Sequence, residues 1–182
     1  DRDELRRSDL IVMPNNRGSF LSGRPERREA LDREMLRHTG RRGEPVDFEY
    51  HIVQLRDDPG HRPGGRDARE RLAGKGFEVV EYVPRNAFLV KVPAASADRL
   101  HDPELQFSTP YGPTDRIGPG VGTRPMLNPE RAVSDIFELV ARMMPGEDSR
   151  AFEQRIVELG GTVLLRETAW DRHYVAFTMR NT

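Results

Sequence analysis

Two apolar strands joined by a tight turn, with a helical segment on either side, constrain the fold of this chain more than any other feature. Residues 77–82 and 87–92 are predicted strands, and residues 84–86 (PRN) are the predicted turn. In the later strand, large apolar side chains at Phe88 and Val90 alternate with their neighbours, which predicts that one face belongs to a core. A hairpin of this kind needs further strands or a helix to be stable.

The neighbouring segments supply those elements in a defined order. An apolar strand at residues 50–55 comes first, followed by a helix that Asp67 caps and Gly76 ends. After the hairpin, a short helix capped by Ser96 leads to a last strand at residues 105–108. The order β-α-β-β-α-β predicts a ferredoxin-like unit, which is an antiparallel four-stranded sheet with two helices on one face.

The same pattern begins again near residue 135. A strand at residues 136–143, a helix capped by Asp148 or Ser149, and a hairpin around residues 169–172 follow one another, and Gly161 takes the place of Gly76. We therefore predict an α+β fold of tandem ferredoxin-like (βαββαβ) sandwiches. The second repeat reaches Thr182 without its last helix and strand, and the sequence leaves open what completes its sheet.

This reading predicts four segments along the chain. Residues 1–48 form a charged extension with a hairpin and a helix, the latter between Pro25 and Gly40, as its candidate elements. Residues 49–113 are the first ferredoxin-like repeat, 114–134 a Pro/Gly-rich linker, and 135–182 the partial second repeat.

Composition argues against several classes of function. The 29 basic and 30 acidic residues give a net charge of -1, without the basic excess that nucleic-acid binding requires. No apolar run approaches the roughly 18 residues of a membrane span, and no signal-peptide pattern is present. Cysteine is absent, which excludes disulfides and thiolate metal sites. We therefore expect neither nucleic acid nor membrane among the partners.

The sequence offers no constellation of catalytic residues. The five histidines lack metal-ligand spacing, and no serine lies in a Gly-x-Ser-x-Gly elbow. The carboxylate pairs at residues 57–58 and 147–148 fall on predicted turns, where solvation is the simpler interpretation and a cation site the alternative. Trp170 lies in a predicted hairpin turn and either packs or anchors a partner. We predict no catalytic residue, no metal ligand and no cofactor.

Three strings in the first repeat carry a resemblance: HIVQL, then GFEVVEYVPRNAFLV, then PYGPTDRIGPG. Together they resemble the prodomain-like region that precedes the catalytic domain in some bacterial subtilisin-like serine proteases. The strings LVARMMPGED and IVELGGTVL resemble a second such repeat. The resemblance covers about residues 50–161, and the protease's own Asp-Thr/Ser-Gly, His-Gly-Thr and Gly-Thr-Ser-Met/Ala motifs are absent from all 182 residues.

The resemblance implies a partner and a docking surface. In that family the ferredoxin-like pro-region packs its sheet on two helices of the protease, assists folding as an intramolecular chaperone, and inhibits by placing a tail segment in the substrate cleft. Carried over, the docking face would bear Ala87, Leu89 and Lys91. The cleft segment would lie within residues 109–120 and begin with the residues Thr109, Pro110, Tyr111, Gly112 and Pro113. The family resemblance is compatible with a secreted or cell-envelope protein and leaves the compartment unknown.

Two hypotheses follow. The first is a non-catalytic pro-region that inhibits and assists folding of a subtilisin-like protease, in the same precursor or as a separate chain. The second is a tandem ferredoxin-like module that binds a protein or a small ligand and is unrelated to proteolysis. Fold alone does not choose between them, because this superfold hosts many functions.

Overall fold

The chain divides into two compact units, which comprise Asp1–Thr123 and Arg124–Thr182. The structure, a computed structural model, describes residues 10–12, 19–21, 47–56, 65–118, 121, 128–169 and 172–180. The helix expected between Pro25 and Gly40, the carboxylate pair at residues 57–58, and Trp170 lie outside these ranges. The described elements form an α+β fold with antiparallel sheets, as the sequence predicts.

Unit 1 contains a two-stranded ribbon and a four-stranded antiparallel sheet. The ribbon pairs β1 (Leu10–Val12) with β2 (Ser19–Leu21), which confirms the small N-terminal hairpin. The sheet consists of β3 (Phe48–Leu55), β4 (Glu78–Val83), β5 (Ala87–Pro93) and β6 (Leu105–Pro110). Its order is β4-β5-β3-β6, so β5 lies between the two strands that helix α1 (Arg66–Gly74) connects. This is the split βαβ arrangement.

Helix α1 covers one face of this sheet and builds the main core. Its inward residues, Ala68 and Leu72, are spaced by one helical turn and are buried. They form one cluster with Val53, Phe88 and Val90 from the two central strands. Burying one such aliphatic side chain stabilises the fold by about 1.5–3 kcal/mol. The alternation in β5 therefore identified the core face correctly.

The opposite face of the same sheet is buried as well. Ile52 pairs across the strands with Leu89, and Gln54 pairs with Ala87; all four are almost completely inaccessible to solvent. The amide of Gln54 donates a hydrogen bond of 2.8 Å to the carbonyl of Arg85, which stabilises a polar group inside the fold. The chain thus covers both faces of the unit 1 sheet.

Two helix starts differ from the sequence-based predictions. Helix α1 begins directly after Gly65, so Asp67 lies in its first turn and makes no capping hydrogen bond. The negative charge of Asp67 interacts favourably with the helix dipole there. The second predicted helix is a 3₁₀ helix, Ala94–His101, which begins after Pro93; Ser96 therefore lies inside it and is not a cap. Pro93 ends β5 and fixes the backbone at the entry to this helix. A single-turn helix, α2 (Pro113–Arg116), follows β6.

Unit 2 forms a three-stranded antiparallel sheet in the order β7-β9-β8. Its strands are β7 (Ile136–Arg142), β8 (Thr162–Ala169) and β9 (Arg172–Arg180), and a single-turn helix, α3 (Pro129–Ala132), precedes them. Helix α4 (Ser149–Glu158) begins after Asp148, whose carboxylate accepts the N–H of Arg150 at 2.9 Å. Asp148 is therefore the cap, rather than Ser149.

The core of unit 2 lies between α4 and one face of the sheet. Ile156 and Val175 are buried there, and the ring of Phe152 meets Phe177 edge to face at 5.9 Å between centroids. Leu159 follows Ile156 at helical spacing, but it lies just beyond the helix and is exposed.

A left-handed glycine ends the main helix of each unit. Gly76 and Gly160 have φ angles of 80° and 79°, and in both units the next residue's N–H donates back to a helix carbonyl. Gly76 therefore corresponds to Gly160, one residue before the Gly161 that the sequence comparison aligned with it.

A β-bulge lies at the same distance beyond this glycine in both units. The register shifts between Val79 and Glu81 in unit 1, and between Val163 and Leu165 in unit 2. A bulge adds one residue to one strand of a pair and is usually retained within a family of related structures. Shared irregular features of this kind support an internal duplication.

Candidate interaction surfaces

The docking face expected from the resemblance is inside the fold. Ala87 and Leu89 are fully buried within the chain itself. Lys91 is half-buried, and its Nζ lies 3.9 Å from the centroid of the Phe48 ring, a cation–π contact that covers part of its stem. In this conformation Ala87 and Leu89 cannot contact a second protein.

The expected cleft segment begins inside the sheet. Thr109 and Pro110 are the last residues of β6; Thr109 is buried and Pro110 is exposed. Tyr111 continues the pairing, since its N–H donates to the carbonyl of Tyr50 at 2.8 Å. The aromatic ring of Tyr111 is almost fully buried.

The residues that follow are held by local hydrogen bonds. The N–H of Gly112 donates to Oδ2 of Asp115 at 2.9 Å, and the hydroxyl of Tyr111 donates to the Asp115 carbonyl at 3.0 Å. Arg116 donates from Nε to the carbonyl of Tyr111 at 3.1 Å, and Pro113 is the first residue of α2. The structure brings the tail residues together, but as a folded corner rather than an extended peptide.

Among the histidines that the structure describes, His51 and His173 have polar side-chain contacts. His51 is buried in β3, with Nε2 3.1 Å from Oε2 of Glu49. His173 is exposed in β9, with Nδ1 2.9 Å from Oγ1 of Thr168. In the part of the chain that the structure describes, no three His, Cys, Asp or Glu residues converge as metal ligands. Within the same ranges, no helix is both long and apolar enough to span a bilayer.

A cluster of charged side chains joins the end of α1 to the turn before β6. Nζ of Lys75 lies 2.7 Å from Oδ2 of Asp102 and 2.7 Å from Oε2 of Glu104. Burial lowers the pKa of Lys75, but its hydrogen bonds to both carboxylates outweigh burial and raise the pKa above the ordinary value. Hydrogen bonds from Lys75 in turn lower the pKa of Asp102 and of Glu104. All three groups stay charged near neutral pH, so these ion pairs connect the end of α1 to the turn before β6.

A second ion pair ties α4 to β8 in unit 2. Arg166 donates from Nε to Oε1 of Glu153 at 2.7 Å and from Nη2 to Oε2 of the same carboxylate. These hydrogen bonds lower the pKa of Glu153 and raise that of Arg166. This bidentate pair connects α4 to the sheet with a defined geometry.

The sheet face of unit 2 that points away from α4 exposes apolar side chains. Val140, Ala176 and Leu165 lie directly opposite one another on the three strands. Val140 is 70% exposed and Leu165 is 58% exposed, and Ile136 on the same side of β7 is 48% exposed. These four residues are called the open face below. The sequence of β7 carries a signal for this face, because Ile136 and Val140 are apolar and alternate with Phe137 and Leu139 on the other face.

Val140 occupies the position in unit 2 that Ile52 occupies in unit 1. Ile52 pairs with Leu89, which pairs with Glu81 just after the bulge; Val140 pairs with Ala176, which pairs with Leu165 just after its bulge. Ile52 is 0% exposed, whereas Val140 is 70% exposed. The two units therefore present equivalent sheet faces in opposite states, one covered and one open.

The outer edge of β7 is the second distinctive surface of unit 2. In unit 1 the equivalent edge of β3 pairs with β6. In unit 2, no other strand in the described ranges pairs with β7 except β9. Met143 donates its N–H to the carbonyl of His173 at 2.8 Å, so the alternating pattern directs the N–H and C=O of Val140 and Glu138 outward.

A shallow cavity of ≈ 470 Å³ opens at one end of the same unit. It is lined by Ile136, Gly160, Thr162, Thr178, Met179 and Arg180. Among the described residues that line it, Arg180 is the only charged one, so it offers a cation to a ligand in this cavity.

Comparison with known proteins identifies one domain family. A family model described as "Domain of unknown function (DUF8729)" matches residues 15–112. No curated protein and no solved structure matches the chain. The matched range begins before β2 and ends at Gly112, so it covers most of unit 1 and leaves out unit 2.

Proposed function

The chain belongs to the DUF8729 family, and we propose that it is a non-catalytic pro-region that inhibits a subtilisin-like serine protease domain and assists its folding. The protease domain would lie in the same precursor or in a separate chain. The resemblance of residues 50–161 supports this proposal, and so does the split βαβ connectivity of the unit 1 sheet. The observation that carries it is the exposed open face of unit 2, because the pro-regions it resembles bind through a sheet face.

Unit 2 is the better docking unit of the two. A docking surface has to be accessible, and Ala87 and Leu89 on the unit 1 face are buried. Val140 and Leu165 on the open face are exposed and stand across β7, β9 and β8 as one stripe. Covering the exposed part of each side chain would contribute less than the about 1.5–3 kcal/mol that burial of a whole apolar side chain contributes. We therefore move the proposed protease contact from the unit 1 face to the open face.

The test is inhibition of a subtilisin-like protease titrated with the purified chain. Wild type is expected to inhibit stoichiometrically and to be degraded slowly. Val140→Lys places a charge in the centre of the open face and is expected to weaken inhibition at least roughly tenfold, the equivalent of about 1.4 kcal/mol. Val157→Lys is the matched control, because Val157 is also exposed but lies on α4.

Two results would contradict the proposal in different ways. Rapid digestion of the chain by the cognate protease without inhibition would rule out the pro-region function. Inhibition that Val140→Lys and Val157→Lys leave equally strong would retain the function and exclude the open face as its docking surface.

The second candidate is a ligand- or protein-binding module unrelated to proteolysis. The cavity lined by Thr162, Thr178 and Arg180 favours it, since two hydroxyls and a guanidinium suit a small anionic ligand. A chain that leaves every tested protease unaffected, and whose melting temperature rises with a small carboxylate or phosphate compound, would favour this candidate.

A further inference from the structure

The outer edge of β7 can pair with a further strand, and the alternation of its residues determines which of them would form the hydrogen bonds. Every second residue of β7 directs its backbone N–H and C=O away from β9, and Glu138, Val140 and Arg142 belong to this outward row. The equivalent row of β3 faces β6 in unit 1, where Ile52 pairs with Thr109. An edge of this kind readily pairs with a strand of another chain.

We propose that the edge takes a second copy of this chain, with the two β7 strands antiparallel about a two-fold axis at Val140. Val140 then faces Val140 of the second copy, and the two residues exchange both backbone hydrogen bonds. The same register places Glu138 opposite Arg142 of the second copy, and Arg142 opposite Glu138. Two opposite-charge pairs therefore flank an apolar centre, which is the favourable combination for cross-strand neighbours.

The alternative registers are less favourable. An axis at Glu138 places two carboxylates opposite each other, and an axis at Arg142 does the same with two guanidinium groups. An axis at Leu139 leaves each charge facing an aliphatic side chain, since Glu138 then faces Val140 and Arg142 faces Ile136. The charge pattern of β7 therefore selects the Val140 register, as charges on edge strands commonly restrict pairing.

The existing partner of Glu138 is compatible with this pairing. Glu138 accepts a hydrogen bond from Arg131 within its own unit, and both side chains are about half exposed. Exposed ion pairs contribute little, so the carboxylate can add or exchange a partner at low cost. The pairing would also join the two open faces into one apolar stripe across six strands, with Leu165, Ala176 and Val140 from each copy. This inference concerns the edge and does not depend on the proposed protease.

Sedimentation equilibrium of the whole chain over a wide concentration range tests the proposal. Wild type is expected to show a concentration-dependent dimer. In the symmetric dimer, Glu138→Arg and Arg142→Glu each convert both opposite-charge pairs into pairs of like charge. Each variant is therefore expected to raise the dimer Kd by roughly tenfold or more. The double variant E138R/R142E restores both opposite-charge pairs and is expected to return the Kd to within about threefold of wild type.

Cross-linking tests the register without relying on the charge variants. The chain has no cysteine, so Val140→Cys introduces a single thiol at the two-fold axis. Directly opposite residues that exchange hydrogen bonds lie about 5.5 Å apart between Cα atoms, within disulfide range. Mild oxidation is expected to give a covalent dimer with Val140→Cys and not with Val157→Cys, which lies on α4.

A wild-type chain that stays monomeric up to hundreds of micromolar would overturn the pairing. Single charge variants that dimerise as strongly as wild type would overturn it as well. Equal cross-linking of Val140→Cys and Val157→Cys would have the same consequence. A monomeric chain that still inhibits a protease in a one-to-one complex would overturn this inference and leave the proposed function standing.

Discussion

Nζ of Lys75 lies 2.7 Å from Oδ2 of Asp102, and this contact links the residue that follows α1 to the residues that lead into β6. Glu104 accepts from the same ammonium group, so one cation serves two carboxylates. The two residues are 27 positions apart in sequence, and Asp102 directly follows the 3₁₀ helix, which ends at His101.

The Lys75 cluster predicts a loss of stability in acid. The pKa values of Asp102 and Glu104 are lowered by folding, so their contribution is complete above the ordinary carboxyl pKa of about 4 and is lost as the pH falls through the lower folded values. The pKa of Lys75 is raised, so its contribution is complete below its ordinary value and is lost only as the pH rises through the higher folded value.

Lys75→Met is expected to reduce stability at pH 7 by on the order of 1 kcal/mol. It is also expected to flatten the decline in melting temperature between pH 5 and pH 3. Arg66→Met at the first residue of α1 removes an exposed pair with Glu70 and serves as the control. Thermal unfolding of the three proteins at pH 7, 5 and 3 measures both effects; equal acid slopes for wild type and Lys75→Met would contradict the assignment.

The equivalent positions Ile52 and Val140 predict opposite responses to truncation. Ile52→Ala removes fully buried methyl groups and leaves a cavity, at a cost of about 2–5 kcal/mol. Val140→Ala removes exposed groups on the open face and is expected to cost under about 1 kcal/mol. Urea unfolding of both variants measures the difference. A small effect at Ile52 would show that the second face of the unit 1 sheet is not covered in solution.

Two glycines predict substitutions of opposite sign. A Cβ at Gly161 would lie 2.6 Å from the Thr178 carbonyl oxygen and 2.7 Å from Cγ2 of Ile156, so Gly161→Ala forces the sheet and helix apart. We expect a loss of about 1–3 kcal/mol. A Cβ at Gly74, the last residue of α1, has nothing within 4 Å, and Gly74→Ala is expected to stabilise by about 0.4–1 kcal/mol. Melting temperatures that fall for both variants, or for neither, would contradict these contacts.

Sequence reasoning located the elements well where side-chain periodicity was strong. The alternation of Phe88 and Val90 identified the core face of β5, and the Asp148 cap and Ile156 identified α4. It failed at helix starts where glycine or proline competed with a polar cap. Gly65 precedes α1 and Pro93 precedes the 3₁₀ helix, so backbone conformation, rather than side-chain capping, determined both starts.

Burial of the second sheet face was harder to predict. On this face β3 carries Gln54, and a polar residue in a strand ordinarily indicates a solvent-facing side. Gln54 is nevertheless buried and is accommodated by a hydrogen bond to the Arg85 carbonyl, a partner 31 positions away in sequence. Such long-range partners carry no local signal. The same limitation explains why Ala87 and Leu89, expected to dock a protease, lie inside the fold.

The tail after β6 shows a comparable limit. Proline and glycine in residues 109–130 predict a linker or an ordered loop, because these residues interrupt regular structure. At the start of this range the structure forms an ordered corner, in which the hydroxyl of Tyr111 donates to the Asp115 carbonyl at 3.0 Å. Composition predicted the absence of regular structure here, but not that the corner is packed.

The one-sided pairing of β7 has a consequence for the exchange of amide hydrogens with solvent. In β3 the odd-numbered residues bond on the β5 side, where the N–H of Leu55 donates to the carbonyl of Asn86, and the even-numbered residues face β6. Amides on both sides of β3 are therefore held inside the sheet. In β7 the set bonded to β9 is held in the same way, but Glu138 and Val140 direct their amides to the outer edge. Deuterium should therefore enter β7 at alternate residues, unless another strand occupies that edge, whereas residues 51–55 of β3, which are paired on both sides, should exchange slowly.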